Sequence, residues 1–92
     1  MFTRFRVKGK SMEPNFREGD FVLVNRLAYF FRKPKIGDAV IVRHSGMLML
    51  KRIRKVNGGT IYLAGDSERG SKLAISKSAV VGKVMFRIKK NQ

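Results

Sequence analysis

Apolar residues recur along the chain in short runs bounded by glycine, a spacing that predicts strands more than helices. "DFVLV" from Asp20 and "DAVIVR" from Asp38 read as buried strands. "MLMLKRIRKV" (47–56) alternates, breaks at Asn57-Gly58-Gly59 and resumes as "TIYLA" (60–64). Asn-Gly supplies the positive φ of a tight turn, so this stretch predicts a β-hairpin. "AVVGKVMFRI" (79–88) predicts a last strand with a bulge at Gly82, and "FTRFRV" a first one. "NRLAYFFRKPK" (25–35) reads as a short helix, or a strand ending before Pro34. Its Leu27, Tyr29, Phe30 and Phe31 are expected to pack into the core; the other use, with the flanking basic residues, is a membrane-surface patch. The expected fold class is mainly β.

The chain has 92 residues, without repeat or linker, and is expected to form a single domain over 1–92. A hydrophobic fraction of 43% suffices for a core. The absence of cysteine excludes disulfides and thiolate metal sites and leaves the redox compartment open. No apolar run approaches the roughly 20 residues of a membrane span. "MFTRFRVKGK" has no secretory hydrophobic region, so the expected localisation is cytoplasmic by default, with association at a membrane surface as the alternative.

A net charge of +15 favours anionic partners. The basic residues do not gather into one arm or helix face and no nucleic-acid motif occurs, so nucleic acid is not the expected partner. An anionic membrane surface stays a candidate. The oligomeric state is not legible.

Two features carry candidate chemistry. Ser11 lies in "KGKSMEP", and a serine needs a base to act as a nucleophile at neutral pH. His44, the one histidine, follows "AVIVR" and precedes Ser45-Gly46, so it reads as a surface histidine at a strand end. A lysine serves instead if burial or neighbouring positive charge lowers its pKa. Lys51 is the best placed: in an extended strand it shares a face with Met47, Met49 and Ile53. "GDSERGSK" (65–72) adds two hydroxyls, Ser67 and Ser71, in a polar turn. All three aspartates follow glycine; Asp20 and Asp38 precede apolar runs and read as strand-entry turns, whereas Asp66 follows one. No His/Asp/Glu spacing suits a metal and no glycine pattern suits a phosphate, so no cofactor is expected.

These pieces together resemble the type I signal peptidase family, within the wider group that includes LexA-like domains. "GKSMEP" with "GDFVLV" is similar to the family's serine box, "KPKIGDAVIVR" to its second Gly-Asp strand, "LKRI" to its lysine box, and "GDSERGSK" to its Gly-Asp-Asn box and later serine. In style the chain is similar to short anchorless forms such as the proteases that mature nickel-type superoxide dismutase. LexA-like repressors cleave a segment upstream of their serine; with ten residues before Ser11, cleavage in cis is not expected here.

The resemblance implies a signal-peptidase/LexA-like fold of twisted, partly barrel-like antiparallel sheets. It implies a serine endopeptidase that cleaves a precursor or signal-type peptide through an acyl-enzyme. Carried over by motif, Ser11 is the nucleophile, Lys51 the general base, and Ser71 the residue that orients the lysine. The Ser11 N–H, with the Gly9–Lys10 segment beside it, would form the oxyanion hole. A peptide substrate would pair with strand edges near Phe5–Lys8 and Met49–Leu50, with Phe5, Val7 and Met49 lining shallow pockets. After Ser71 the run Lys72-Leu73-Ala74-Ile75 stands where relatives carry Asp-Ser-Arg, so the charged pair that braces their site is expected to be missing; Asn15 stands where threonine is common. The alternative is a catalytically weak or inactive module that binds nucleic acid or an anionic membrane through its basic surface.

Overall fold

In the computed structural model, which describes residues 1–68 and 70–89, the apolar runs become seven strands. They are β1 (Phe2–Arg6), β2 (Phe21–Asn25), β3 (Ala39–His44), β4 (Met47–Asn57), β5 (Thr60–Ala64), β6 (Lys72–Ser76) and β7 (Val80–Lys89). One short helix, α1 (Ala28–Phe31), and a 3-10 turn at Lys77–Ala79 complete the elements. The strands form one sheet in the order β1-β2-β7-β3-β4-β5-β6, each antiparallel to its neighbour.

Glycine sets the turns as the pattern requires. The β3–β4 loop is Ser45-Gly46, with φ of 51° and 75°, the doubly positive geometry that matches strand twist in a two-residue hairpin. Gly58, at φ 61°, begins the β4–β5 turn. At Gly82 the β3–β7 register slips between Ile41↔Gly82 and Val42↔Val80, which is the expected bulge. A Cβ on Gly82 would meet Asn25 O and Val24 Cγ1, each at 2.7 Å, so only glycine lets the end of β2 approach there.

Strand β3 is buried on both faces from Ala39 to Val42, with a hydrophobic cluster on each side. Ala39 and Ile41 enter a cluster with Val7, Met12, Val22 and Leu50. Val40 and Val42 enter a second with Ile53, Ile61, Leu63 and Ile75.

Two outcomes differ from expectation. Residues 72–76, Lys-Leu-Ala-Ile-Ser, form edge strand β6 beside β5, although only Ile75 of this run is buried. And α1 does not pack its aromatics into the core: Phe30 is 76% and Phe31 88% exposed. A four-residue helix is about one turn long and cannot direct three consecutive aromatics inward. Tyr29 alone turns in, and its hydroxyl donates to Asp38 Oδ2 at 2.7 Å.

The ladder of the β1–β2 hairpin runs one residue past β1, through Val7 N–H to Asp20 O and Gly19 N–H to Val7 O, both 2.8 Å. Residues 8–18 then loop out and cross to the connection between β5 and β6. Loops from opposite ends of the strand order therefore meet, and the sheet curls toward a barrel.

Candidate functional site

Ser11 sits in that crossing loop, which internal bonds hold in shape. Glu13 N–H donates to Lys10 O at 3.2 Å and Phe16 N–H to Met12 O at 2.9 Å. Met12 is 1% exposed and pins the loop to the core. The buried Asp20 carboxylate accepts from Arg17 N–H at 2.9 Å, so this strand-entry aspartate also closes the loop. Ser67 N–H donates to Ser11 O at 2.9 Å. Gly65 lies beside it: a Cβ there would run into the Ser11 carbonyl oxygen and reach Ser11 Cβ at 3.0 Å.

Lys51 comes from β4, paired with Val40 of β3, and Met49 and Ile53 flank it along the strand. It is 4% exposed, and burial holds its amine below the ordinary lysine range, because the ammonium form loses hydration there. Nζ donates to Ser71 Oγ at 3.2 Å. A neutral lysine anchored by a hydroxyl can accept a proton and return it.

Ser11 and Lys51 line one cleft of about 270 Å³, with Phe5, Val7, Gly9, Met49 and Leu50. Ser71 joins through its bond to the lysine. Lys10 gives its carbonyl to the turn, and its side chain is exposed. Leu50 is 5% exposed, so its side chain belongs to the core while its backbone borders the cleft. His44 is exposed at the end of β3 and does not line the cleft.

Two strand edges border this cleft. β1 is the first strand of the sheet and pairs with β2 alone. β4 pairs with β3 from Met47 to Arg52, but its described pairing with β5 begins only at Arg52↔Ala64. Met47–Lys51 thus presents backbone donors and acceptors on one side, free of a β5 partner.

Charged bracing comes from residues the sequence reading did not assign. Arg52 grips Asp66 through Nε–Oδ1 at 3.1 Å and Nη2–Oδ2 at 2.6 Å, and Asn15 Nδ2 donates to Asp66 Oδ2 at 3.0 Å. Arg54 Nη2 stands 3.5 Å from Oδ1. Burial alone would raise the Asp66 carboxyl, but the bonds from Arg52 and Asn15 and the two guanidinium charges outweigh it and hold the carboxyl below the usual range. One carboxylate so ties β4, the β5–β6 loop and the Ser11 loop together. The signal was present: Asp66 is the one Gly-Asp aspartate that follows an apolar run. Arg69, inside the same motif, lies outside the described residues.

Residues 3–85 match the family described as Peptidase S24-like. The chain is 31% identical over 83 residues to signal peptidase I of Aquifex aeolicus (strain VF5), covering 87% of this chain and 32% of that protein. It is also 31% identical over 80 residues to signal peptidase I of Pseudomonas aeruginosa, covering 74% of this chain and 27% of that protein. The chain spans about a third or less of the length of these relatives.

Proposed function

The chain belongs to the S24-like peptidase family, and on that premise we propose that it is a serine endopeptidase in which Ser11 and Lys51 form the catalytic dyad. The observation that carries this reading is a lysine 4% exposed, bonded to Ser71 Oγ at 3.2 Å, lining the same cleft as Ser11. A buried lysine without an anionic partner costs stability, and a nucleophile's base is a use that offsets the cost.

In the proposed reaction neutral Lys51 takes the Ser11 hydroxyl proton as Oγ attacks the scissile carbonyl. The Ser11 N–H and the Gly9–Lys10 segment stabilise the oxyanion. The lysine ammonium then passes its proton to the leaving amine, the peptide C–N bond breaks, and an acyl-Ser11 ester remains. Water, deprotonated by the same amine, attacks the ester, and the proton returns to Ser11. Ser71 keeps the amine oriented through the cycle.

The substrate on this reading is an extended polypeptide, a precursor or signal-type segment. The outer edge of β1 and the free edge of Met47–Lys51 support it, since an added strand can bond to both sides of the cleft. Phe5, Val7 and Met49 make the walls apolar, which suits small apolar residues next to the cut.

The test is a peptide-library digest read by mass spectrometry at neutral and mildly alkaline pH, with wild type beside Ser11→Ala. Cleavage by wild type alone is the expected result. Equal cleavage by both, or by neither, sinks the dyad assignment for this chain.

A further inference from the structure

Outside the cleft, the surface around α1 combines exposed aromatics with positive charge. Phe30 and Phe31 project at 76% and 88% exposure, with Ile36 at 70%, Phe2 at 59% and Leu27 at 43%. Residues 26–36, RLAYFFRKPKI, hold four basic residues and no acidic one. Beside α1 a groove of about 450 Å³ is bordered by Phe2, Leu27, Phe31, Arg32 and Lys33. Asp38, the one carboxylate in its lining, is already engaged by the Tyr29 hydroxyl at 2.7 Å and by Lys83 Nζ at 3.8 Å.

We propose that α1 and its flanks form an interfacial docking surface for an anionic lipid bilayer. Phe30 and Phe31 insert at the acyl boundary, and Arg26, Arg32, Lys33 and Lys35 meet the headgroup phosphates. Charge complementarity selects this occupant: a patch that is apolar at its tip and cationic at its rim fits a surface with a negative headgroup layer over hydrocarbon. A net charge of +15 strengthens the attraction. Single-stranded nucleic acid fits less well, since it needs ring faces laid along a groove as stacking platforms, whereas Phe30 and Phe31 are consecutive residues of a one-turn helix and border different grooves. Strand β1 runs from Phe2 in the patch to the residues just before Val7 in the cleft, so docking would hold the cleft at a set height above the bilayer.

The experiment is co-sedimentation of the chain with vesicles of phosphatidylcholine, and of phosphatidylcholine mixed with phosphatidylglycerol. Binding to the mixed vesicles, weakening as salt rises, is expected. Phe30→Ser/Phe31→Ser should weaken it by about tenfold or more at unchanged melting temperature. Arg32→Glu/Lys33→Glu should remove the preference for the anionic lipid, and peptide cleavage should be unchanged in both variants. Equal binding to the two vesicle types, or full binding by the phenylalanine variant, overturns the proposal. So does a wild type that ignores vesicles while the phenylalanines drive self-association or oligonucleotide binding.

Discussion

The carbonyl oxygen of Ser11 accepts a hydrogen bond from the backbone N–H of Ser67 at 2.9 Å, and this bond joins the β1–β2 loop to the β5–β6 loop. The contact is possible because Gly65 has no side chain. A Cβ there would collide with the Ser11 carbonyl oxygen and come within 2.7 Å of Gly70 Cα. Both neighbours are backbone, so neither can swing aside. Gly65→Ala should therefore cost about 1–3 kcal/mol in thermal or denaturant unfolding. On the proposed mechanism it should also lower kcat by shifting Ser11 within the cleft it shares with Lys51. A variant that melts like wild type and cleaves at the same rate would mean that the two loops are not so tightly apposed.

On the proposed mechanism Lys51 sets the pH dependence. Cleavage on the proposed mechanism needs the neutral amine, so kcat/KM should rise with pH through a midpoint below the ordinary lysine value of 10.5. Stability should move the same way. The folded pKa is lower than the unfolded one, so the unfolded state holds the proton more strongly, and stability increases as pH climbs from the folded value to the unfolded value. Lys51→Met fills the same space without the desolvated charge. It should abolish cleavage, flatten that stability slope and raise neutral-pH stability by on the order of 1 kcal/mol. Loss of folding in this variant would show that the Lys51–Ser71 bond is structural.

Ser71 is a positioning residue in this scheme. Removing its hydroxyl leaves Lys51 buried but free to change rotamer, so Ser71→Ala should lower kcat by about 100-fold with little change in KM. The midpoint of the pH profile should move as well, since the amine loses the Ser71 hydroxyl to which it donates. Ser71→Thr, which keeps the hydroxyl, should recover much of the rate. Equal rates for all three proteins would remove Ser71 from the site.

Asp66 carries a different pH signature. Its folded pKa lies below the ordinary carboxyl range, so its contribution is fully present above that range and disappears as pH falls through the folded value. Asp66→Asn breaks the Arg52 grip and should cost about 1–3 kcal/mol near neutral pH. The loss should shrink in acid, where wild type has also lost the charge. Urea unfolding at several pH values checks this; a deficit independent of pH would assign the loss to packing instead.

Ser67 offers a counter-example in the same loop. Its Oγ is buried and has no hydrogen-bond partner among the described residues, whereas its backbone N–H holds Ser11. Ser67→Ala keeps the N–H and discards the orphaned hydroxyl. It should raise the melting temperature slightly, by up to about 1 kcal/mol of stability, and leave cleavage untouched. A clear loss of stability would mean that the hydroxyl has a bonding role.

Local pattern was enough for most of the strands, because a strand declares itself through its own alternation and glycine turns declare themselves through backbone freedom. β1 to β5, β7 and the Gly82 bulge were all legible this way, and Asp20 and Asp38 were placed correctly at strand entries. β6 was not. Only Ile75 of its five residues is buried, and its pairing is supplied by β5 rather than by its own sequence. The exposure of Phe30 and Phe31 was equally hidden, since a helix of one turn has no periodicity from which a buried face can be read.

Ser11, Lys51 and Ser71 could be named from residue types and motif order. What joins them could not. The Lys51–Ser71 bond spans 20 positions and the Asn15–Asp66 bond 51. Arg52–Asp66 supplies a brace where the motif after Ser71 predicted none. Such contacts depend on how seven strands curl until loops from opposite ends of the strand order meet. Sequence determined which groups were available, because side-chain chemistry and strand propensity are local. The tertiary structure alone decided which of them share a cleft and which face solvent, because curl, burial and loop crossing arise from packing between residues far apart in the chain.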